Sequence, residues 1–151
     1  MFDFKNKQHL LIVEYYSKFF EVIMLNNFTS DTVIMNIKSI FARHCIPEIL
    51  VSDNARYYTS SKFQEFAKSW EFKHITSSPR YQQSKGLAER TVQTELLKKA
   101  EYEGKNPYMS ILNLRNTPLD SDMPSPSQLL MGRRCKTKLT ITKKLLRTEV
   151  P

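Results

Sequence analysis

Cysteine is scarce and unpatterned in this chain. Its 151 residues include two, Cys45 and Cys135, far apart and outside any Cys-x-x-Cys or Cys/His spacing. That excludes a zinc-ribbon or disulfide framework and fits a reduced, intracellular compartment. Histidine is equally sparse, with three residues. His74 lies in an apolar run and His44 beside Cys45 at a helix end, so both read as packing or capping groups; no second His or Cys stands at ligand spacing. No stretch approaches the roughly 18 apolar residues of a membrane span. Met1 is followed by Asp3, Lys5 and Lys7 rather than an apolar segment, so the expectation is a soluble protein without a signal peptide. Acidic residues number 15 against 23 basic ones, for a net charge of +8 and a pI near 9.5. Such a balance favours a polyanionic partner, nucleic acid above all.

Apolar residues make up 40% of the chain, with nine Phe and seven Tyr, enough for one compact core. The runs His9–Tyr16 and Phe19–Leu25 are rich in β-formers and joined across Ser17-Lys18, which predicts an antiparallel hairpin. Thr29 or Ser30 caps a helix to about Arg43, with Val33, Ile34, Ile37, Ile40 and Phe41 at helical spacing. Pro47 opens a strand leading to Asp53. Ser60 or Ser61 starts a second helix with Phe63, Phe66, Ala67 and Trp70 on one face, and a short strand follows at Phe72–Thr76. Residues 77–86 are polar and irregular and lead into a helix ending near Gly104; another helix spans about Pro107–Arg115. The expected division is a core domain over 1–132 and a basic tail over 133–151. From Met123 to Thr148 there is no acidic residue, while Arg133, Arg134, Lys136, Lys138, Lys143, Lys144 and Arg147 are all basic. This segment reads either as a phosphate-contacting arm or as a solvated terminus.

Two acids stand out by context. Asp53 closes the apolar run Ile49-Leu50-Val51-Ser52, and Glu89 follows Ser84-Lys85-Gly86-Leu87-Ala88, with thirty-five residues between the two. A buried strand delivers its terminal carboxylate to the carboxyl edge of a sheet, where open α/β sheets place ligands, and a helix starting after Gly86 aims Glu89 back at that edge. Converging hard-oxygen ligands suit Mg²⁺ or Mn²⁺, and the spacing points to metal-dependent chemistry on DNA phosphodiesters. A third carboxylate completes such a site.

Four ordered blocks carry a resemblance. They are Leu10-Leu11-Ile12-Val13-Glu14-Tyr15-Tyr16-Ser17-Lys18, Ile46-Pro47-Glu48 through Ser52-Asp53-Asn54, Ser78-Pro79-Arg80-Tyr81 through Glu89-Arg90, and Leu112 to Pro118 with Ser125 to Arg133. Together they resemble the catalytic core of integrases from Gypsy-like long-terminal-repeat retrotransposons and, more loosely, retroviral integrases. The resemblance implies an α/β, ribonuclease H-like fold, a mixed five-stranded sheet flanked by helices, with three carboxylates coordinating two Mg²⁺ or Mn²⁺ ions. It makes Asp53 and Glu89 the catalytic, metal-holding second and third acids. The first aligns immediately before Met1, so the expectation is a truncated opening strand and impaired catalysis. Asp3 has the wrong strand parity to substitute, and Glu14 matches a position outside the metal triad.

Three departures from the family pattern accompany this: Ala55 where relatives carry Gly, Gln82 for Pro, and Lys85 for Asn or Gln. An alanine at positive φ costs about 1 kcal/mol, whereas at negative φ it is tolerated. Lys85 either competes with metal for Glu89 or holds a DNA phosphate. Asn54, Arg80, Tyr81, Gln83, Ser84, Lys85 and Arg90 flank the acids and are the candidate DNA contacts; Tyr57 and Tyr58 read equally as packing residues. The implied partners are DNA and a second copy of the chain, through the 107–115 helix, with no membrane and a nuclear location when acting on DNA. The alternative is a noncatalytic DNA-binding remnant of a retrotransposon integrase.

Overall fold

The computed structural model describes residues 2–4, 7–76, 90, 108–118 and 120–148. Five strands are present among them, in two hydrogen-bonded groups. β1 (Phe2–Phe4), β2 (Lys7–Val13) and β3 (Phe20–Leu25) form a sheet in that order, with β1 antiparallel to β2 and Asp3 opposite Gln8. β4 (Ile49–Ser52) and β5 (Lys73–Thr76) pair in parallel, in the register Ile49 to Lys73 through Ser52 to Thr76.

The expected hairpin is present, but β2 stops at Val13 rather than Tyr16. Glu14 ends it: its carboxylate accepts the N–H groups of Tyr16 at 3.1 Å and Ser17 at 2.6 Å, and its carbonyl accepts Lys18 N–H at 2.9 Å. Lys18 takes φ 58°, and Ser17, buried, accepts Phe19 N–H through its hydroxyl. Side-chain acceptors of this kind offer the backbone an alternative to the strand ladder. Burial pushes the Glu14 carboxyl up, but hydrogen bonds from Ser17 and Tyr16 and the Lys18 charge outweigh it and leave it below the ordinary value.

α1 (Ser30–His44) is capped by Thr29, whose hydroxyl accepts Thr32 N–H, and buries Val33, Ile34, Ile37, Ile40 and Phe41, the expected stripe. The Ser60 hydroxyl caps α3 (Ser61–Ser69), which buries Phe63, Phe66 and Ala67. Trp70 lies at the helix end, its ring 6.2 Å from Phe41 and 5.5 Å from Phe66. β5 begins one residue later than expected, because Glu71 at φ 58° turns the chain and Phe72 N–H bonds back to Ala67. Phe41, Phe63, Phe66 and Phe72 meet at ring separations of 5.1–6.1 Å. Phe41 and Phe66 stack and the other three contacts are edge-on, arrangements that stabilise beyond area burial. A short α2 (Arg56–Thr59) lies between β4 and α3.

The chain divides into two compact units, residues 1–11 with 21–86, and 12–20 with 87–151. In the second, α4 (Tyr108–Arg115) is the helix expected from about Pro107. α5 (Pro126–Met131) carries a capping box between Ser125 and Gln128, with Gly132 at φ 69° as its left-handed stop. Glycine reaches that conformation without a Cβ penalty. Residues after Gly132 are tied back: Arg134 N–H bonds the Leu145 carbonyl at the end of a 3-10 turn (Lys143–Leu146), and the Asn116 amide bonds both Cys135 N–H and its carbonyl.

Candidate functional site

Asp53 is the residue immediately after β4, at the carboxyl end of a parallel strand pair. Its side chain is exposed. Oδ1 accepts Ala55 N–H at 3.1 Å, the local turn that aspartate favours, and the chain then enters α2 with the Ala55 carbonyl accepting the Tyr58 and Thr59 N–H groups. Ala55 has φ −60° and ψ 147°. The alanine that replaces the family's glycine is therefore unstrained, the milder of the two readings the sequence left open.

Behind Asp53, Ser52 is buried and His74 half-buried. Parallel register places Ser52 opposite Thr76, so His74, two positions earlier on β5, shares the Ser52 face. Ser52 Oγ lies 2.7 Å from His74 Nε2 and 2.9 Å from the Asp53 carbonyl, to which it donates. The imidazole packs 4.8 Å from the Phe63 ring and 6.3 Å from Tyr58, and burial lowers its pKa. Burial raises the Tyr57 hydroxyl's pKa, and the Asp53 charge adds to it; Tyr58 is pushed up by deeper burial, with Tyr57 and Asp53 contributing. Tyr58 is a packing residue against Phe63 at 5.4 Å, while Tyr57 packs on Phe28 at 5.9 Å.

Asn54 and Arg90 are exposed. Glu89 lies outside the described residues, as do Arg80, Tyr81, Gln83, Ser84 and Lys85, together with Gln82. Among the described residues no three His, Cys, Asp or Glu side chains gather to hold a metal. What is present fits a hard divalent cation: one hydrogen bond to Ala55 leaves most lone pairs of the exposed Asp53 carboxylate open, and hard oxygens are the donors Mg²⁺ and Mn²⁺ take. The His74 imidazole is committed to Ser52. His44, the other histidine weighed as a ligand, sits 2.8 Å from Glu21. Sequence reasoning found Asp53 but missed Ser52 and α2. The signal for Ser52 was its position one residue before the acid; its pairing with His74 follows from the β4–β5 register.

No helix among the described residues is long and apolar enough to cross a membrane. Comparison with known proteins places this geometry. Over 139 residues, 87% of its length, the chain is 31% identical to an uncharacterized Caenorhabditis elegans protein, of which it spans 11%. It superimposes on a chain of the simian T-cell lymphotropic virus intasome, solved with the PP2A regulatory subunit B56 gamma, with a TM-score of 0.73 and 23% identity, covering 94% of this chain and 57% of that one. The HTLV-2 integrase catalytic core domain in complex with magnesium, in its dimeric form, matches with a TM-score of 0.66 and 20% identity, over 85% of this chain and 87% of that one. These neighbours share the ribonuclease H-like fold expected from the sequence. The sequence profile described as "Integrase core domain" matches residues 3–82, more than half of the chain, and the chain accordingly belongs to the integrase core domain family.

Proposed function

We propose that this chain is a DNA-integrating catalytic core in which Asp53 and Glu89 together hold a divalent cation. The observation that carries the reading is Asp53 itself: an exposed carboxylate fixed at the end of a parallel strand, in a chain whose family match runs across it. Mg²⁺ or Mn²⁺, when bound, supplies activation of an oxygen nucleophile and neutralisation of charge at phosphorus. The protein's part is placement. The Asp53 turn orients one carboxylate, Glu89 provides the second, and strand transfer on DNA is the reaction they serve in this reading. Asn54, Arg80, Tyr81, Gln83, Ser84, Lys85 and Arg90 contact DNA in this reading, α4 supplies a homodimer surface, and the protein acts in the nucleus as part of a Gypsy-like retrotransposon.

The test is joining of a labelled DNA end to a target duplex in Mg²⁺ or Mn²⁺, with DNA binding measured in parallel. Asp53→Asn and Glu89→Gln are each expected to abolish metal-dependent joining while leaving DNA affinity within about twofold, because phosphate contacts dominate affinity. A second reading, a noncatalytic DNA-binding remnant, is favoured by the exposed Arg133, Lys136, Lys138, Lys143, Lys144 and Arg147. It predicts salt-sensitive DNA binding and no metal-dependent joining. Sedimentation showing only monomer at high concentration contradicts the homodimer.

A further inference from the structure

We infer that His74 is a positioning residue for Asp53, acting through the Ser52 hydroxyl; this rests on the reading of Asp53 as a metal ligand. Ser52 has one hydroxyl proton and two short contacts, the Asp53 carbonyl at 2.9 Å and His74 Nε2 at 2.7 Å. A carbonyl only accepts. Both contacts are satisfied together only when Ser52 donates to the carbonyl and accepts from Nε2–H.

A one-way chain results, from imidazole N–H to hydroxyl to the carbonyl of Asp53, and it ends on the backbone of the residue whose side chain would meet the cation. The far end is anchored. His74 packs against the rings of Phe63 and Tyr58, Phe63 is fully buried, and the strand carrying His74 is hydrogen-bonded in register with the strand carrying Ser52. On the near side, Ala55 N–H holds Oδ1. Asp53 is thus held twice, through its carbonyl from the core side and through its carboxylate from the turn. A ligand held through such outer partners needs less ordering when a metal binds, and loss of an outer partner lowers metal affinity by roughly 10–100-fold. Leucine or phenylalanine at 74 fills the space without donating; glutamine's amide nitrogen stands close to where Nε2 stood.

The experiment titrates Mn²⁺ into the chain, following water-proton relaxation, and measures amide hydrogen exchange at Ala55, whose N–H reports on the carboxylate without any metal. His74→Leu and Ser52→Ala are each expected to weaken Mn²⁺ about tenfold and to speed Ala55 exchange several-fold, with His74→Gln and Ser52→Thr restoring most of both. A general packing defect is not repaired by glutamine. Unchanged Ala55 exchange in folded His74→Leu and Ser52→Ala overturns the inference. If Asp53→Asn leaves Mn²⁺ affinity unchanged, the metal reading of Asp53 fails; Ala55 exchange then still decides whether His74 positions the residue.

Discussion

Around Phe63, ring meets ring: Tyr58, Phe66 and His74 lie within 4.8–5.6 Å of it by centroid, and the buried face of α1 closes on α2 and α3. Around Asn116 the neighbours are polar. Its carboxamide accepts from Ser127 Oγ at 2.7 Å and Cys135 N–H at 2.9 Å and donates to the Cys135 carbonyl at 2.7 Å. Nearby, Gln128 Oε1 accepts from Ser125 and Arg134. The first region is an apolar core that fixes one exposed acid at its edge. The second uses side-chain hydrogen bonds to give form to a segment with few large apolar residues. Apolar packing there tolerates no lost volume, while the polar hub tolerates no lost partner.

Phe63→Ala is the harshest way to break that contrast. Truncating a fully buried ring is expected to cost about 3–5 kcal/mol, read as a lowered denaturant midpoint, and a cost below about 1 kcal/mol would contradict the core assignment. Asn116→Ala tests the polar side. It strips partners from Ser127 and from both backbone groups of Cys135, an expected loss of about 1–3 kcal/mol with faster amide exchange at Cys135, whereas a shape-matched Asn116→Leu should not rescue it.

Acid separates the regions differently. Folding favours neutral His74, whose pKa burial lowers from 6.5, so its contribution is fully present above that value. It is lost as the pH falls below 6.5 and through the folded pKa, since the unfolded chain then binds the extra proton. His74→Gln should remove that component of the pH dependence, measured by denaturant melts between pH 7.5 and 5. Glu14 behaves as a carboxylate whose folded pKa is lowered: its contribution is present above about 4.5 and fades as the pH drops through the folded value. Glu14→Ala should cost about 1 kcal/mol through its turn hydrogen bonds. At the bottom of the scale, the exposed Lys62–Asp31 pair should contribute under about 0.5 kcal/mol, and Lys62→Ala should leave both regions' midpoints unmoved.

Legibility from sequence followed the same divide. The α1 stripe and the α3 face were readable because apolar side chains at helical spacing must share one buried side; α1 buries all five expected residues and α3 buries Phe63, Phe66 and Ala67, while Trp70 falls at the helix end, and Thr29 and Ser60 are the caps. Asp53 was readable as the end of an apolar run. The end of β2 was not, because it depends on a glutamate folding back onto its own backbone, which no periodicity announces. α2 was too short to show a period, and the Ser52–His74 pairing required the β4–β5 register, a long-range fact. The Asn116 hub joins residues far apart in the chain by hydrogen bonds, and composition alone suggested only a basic tail.

Whether Asp53 and Glu89 serve one cation is measured directly by a double-mutant cycle on Mn²⁺ affinity. If they share the ion, Asp53→Asn and Glu89→Gln each weaken Mn²⁺ by at least about tenfold, the lower end of what losing even an outer partner costs, and the loss in the double variant is far less than the product of the two single losses. Independent, multiplicative losses, or a Glu89→Gln variant that binds Mn²⁺ like the parent chain, would contradict it.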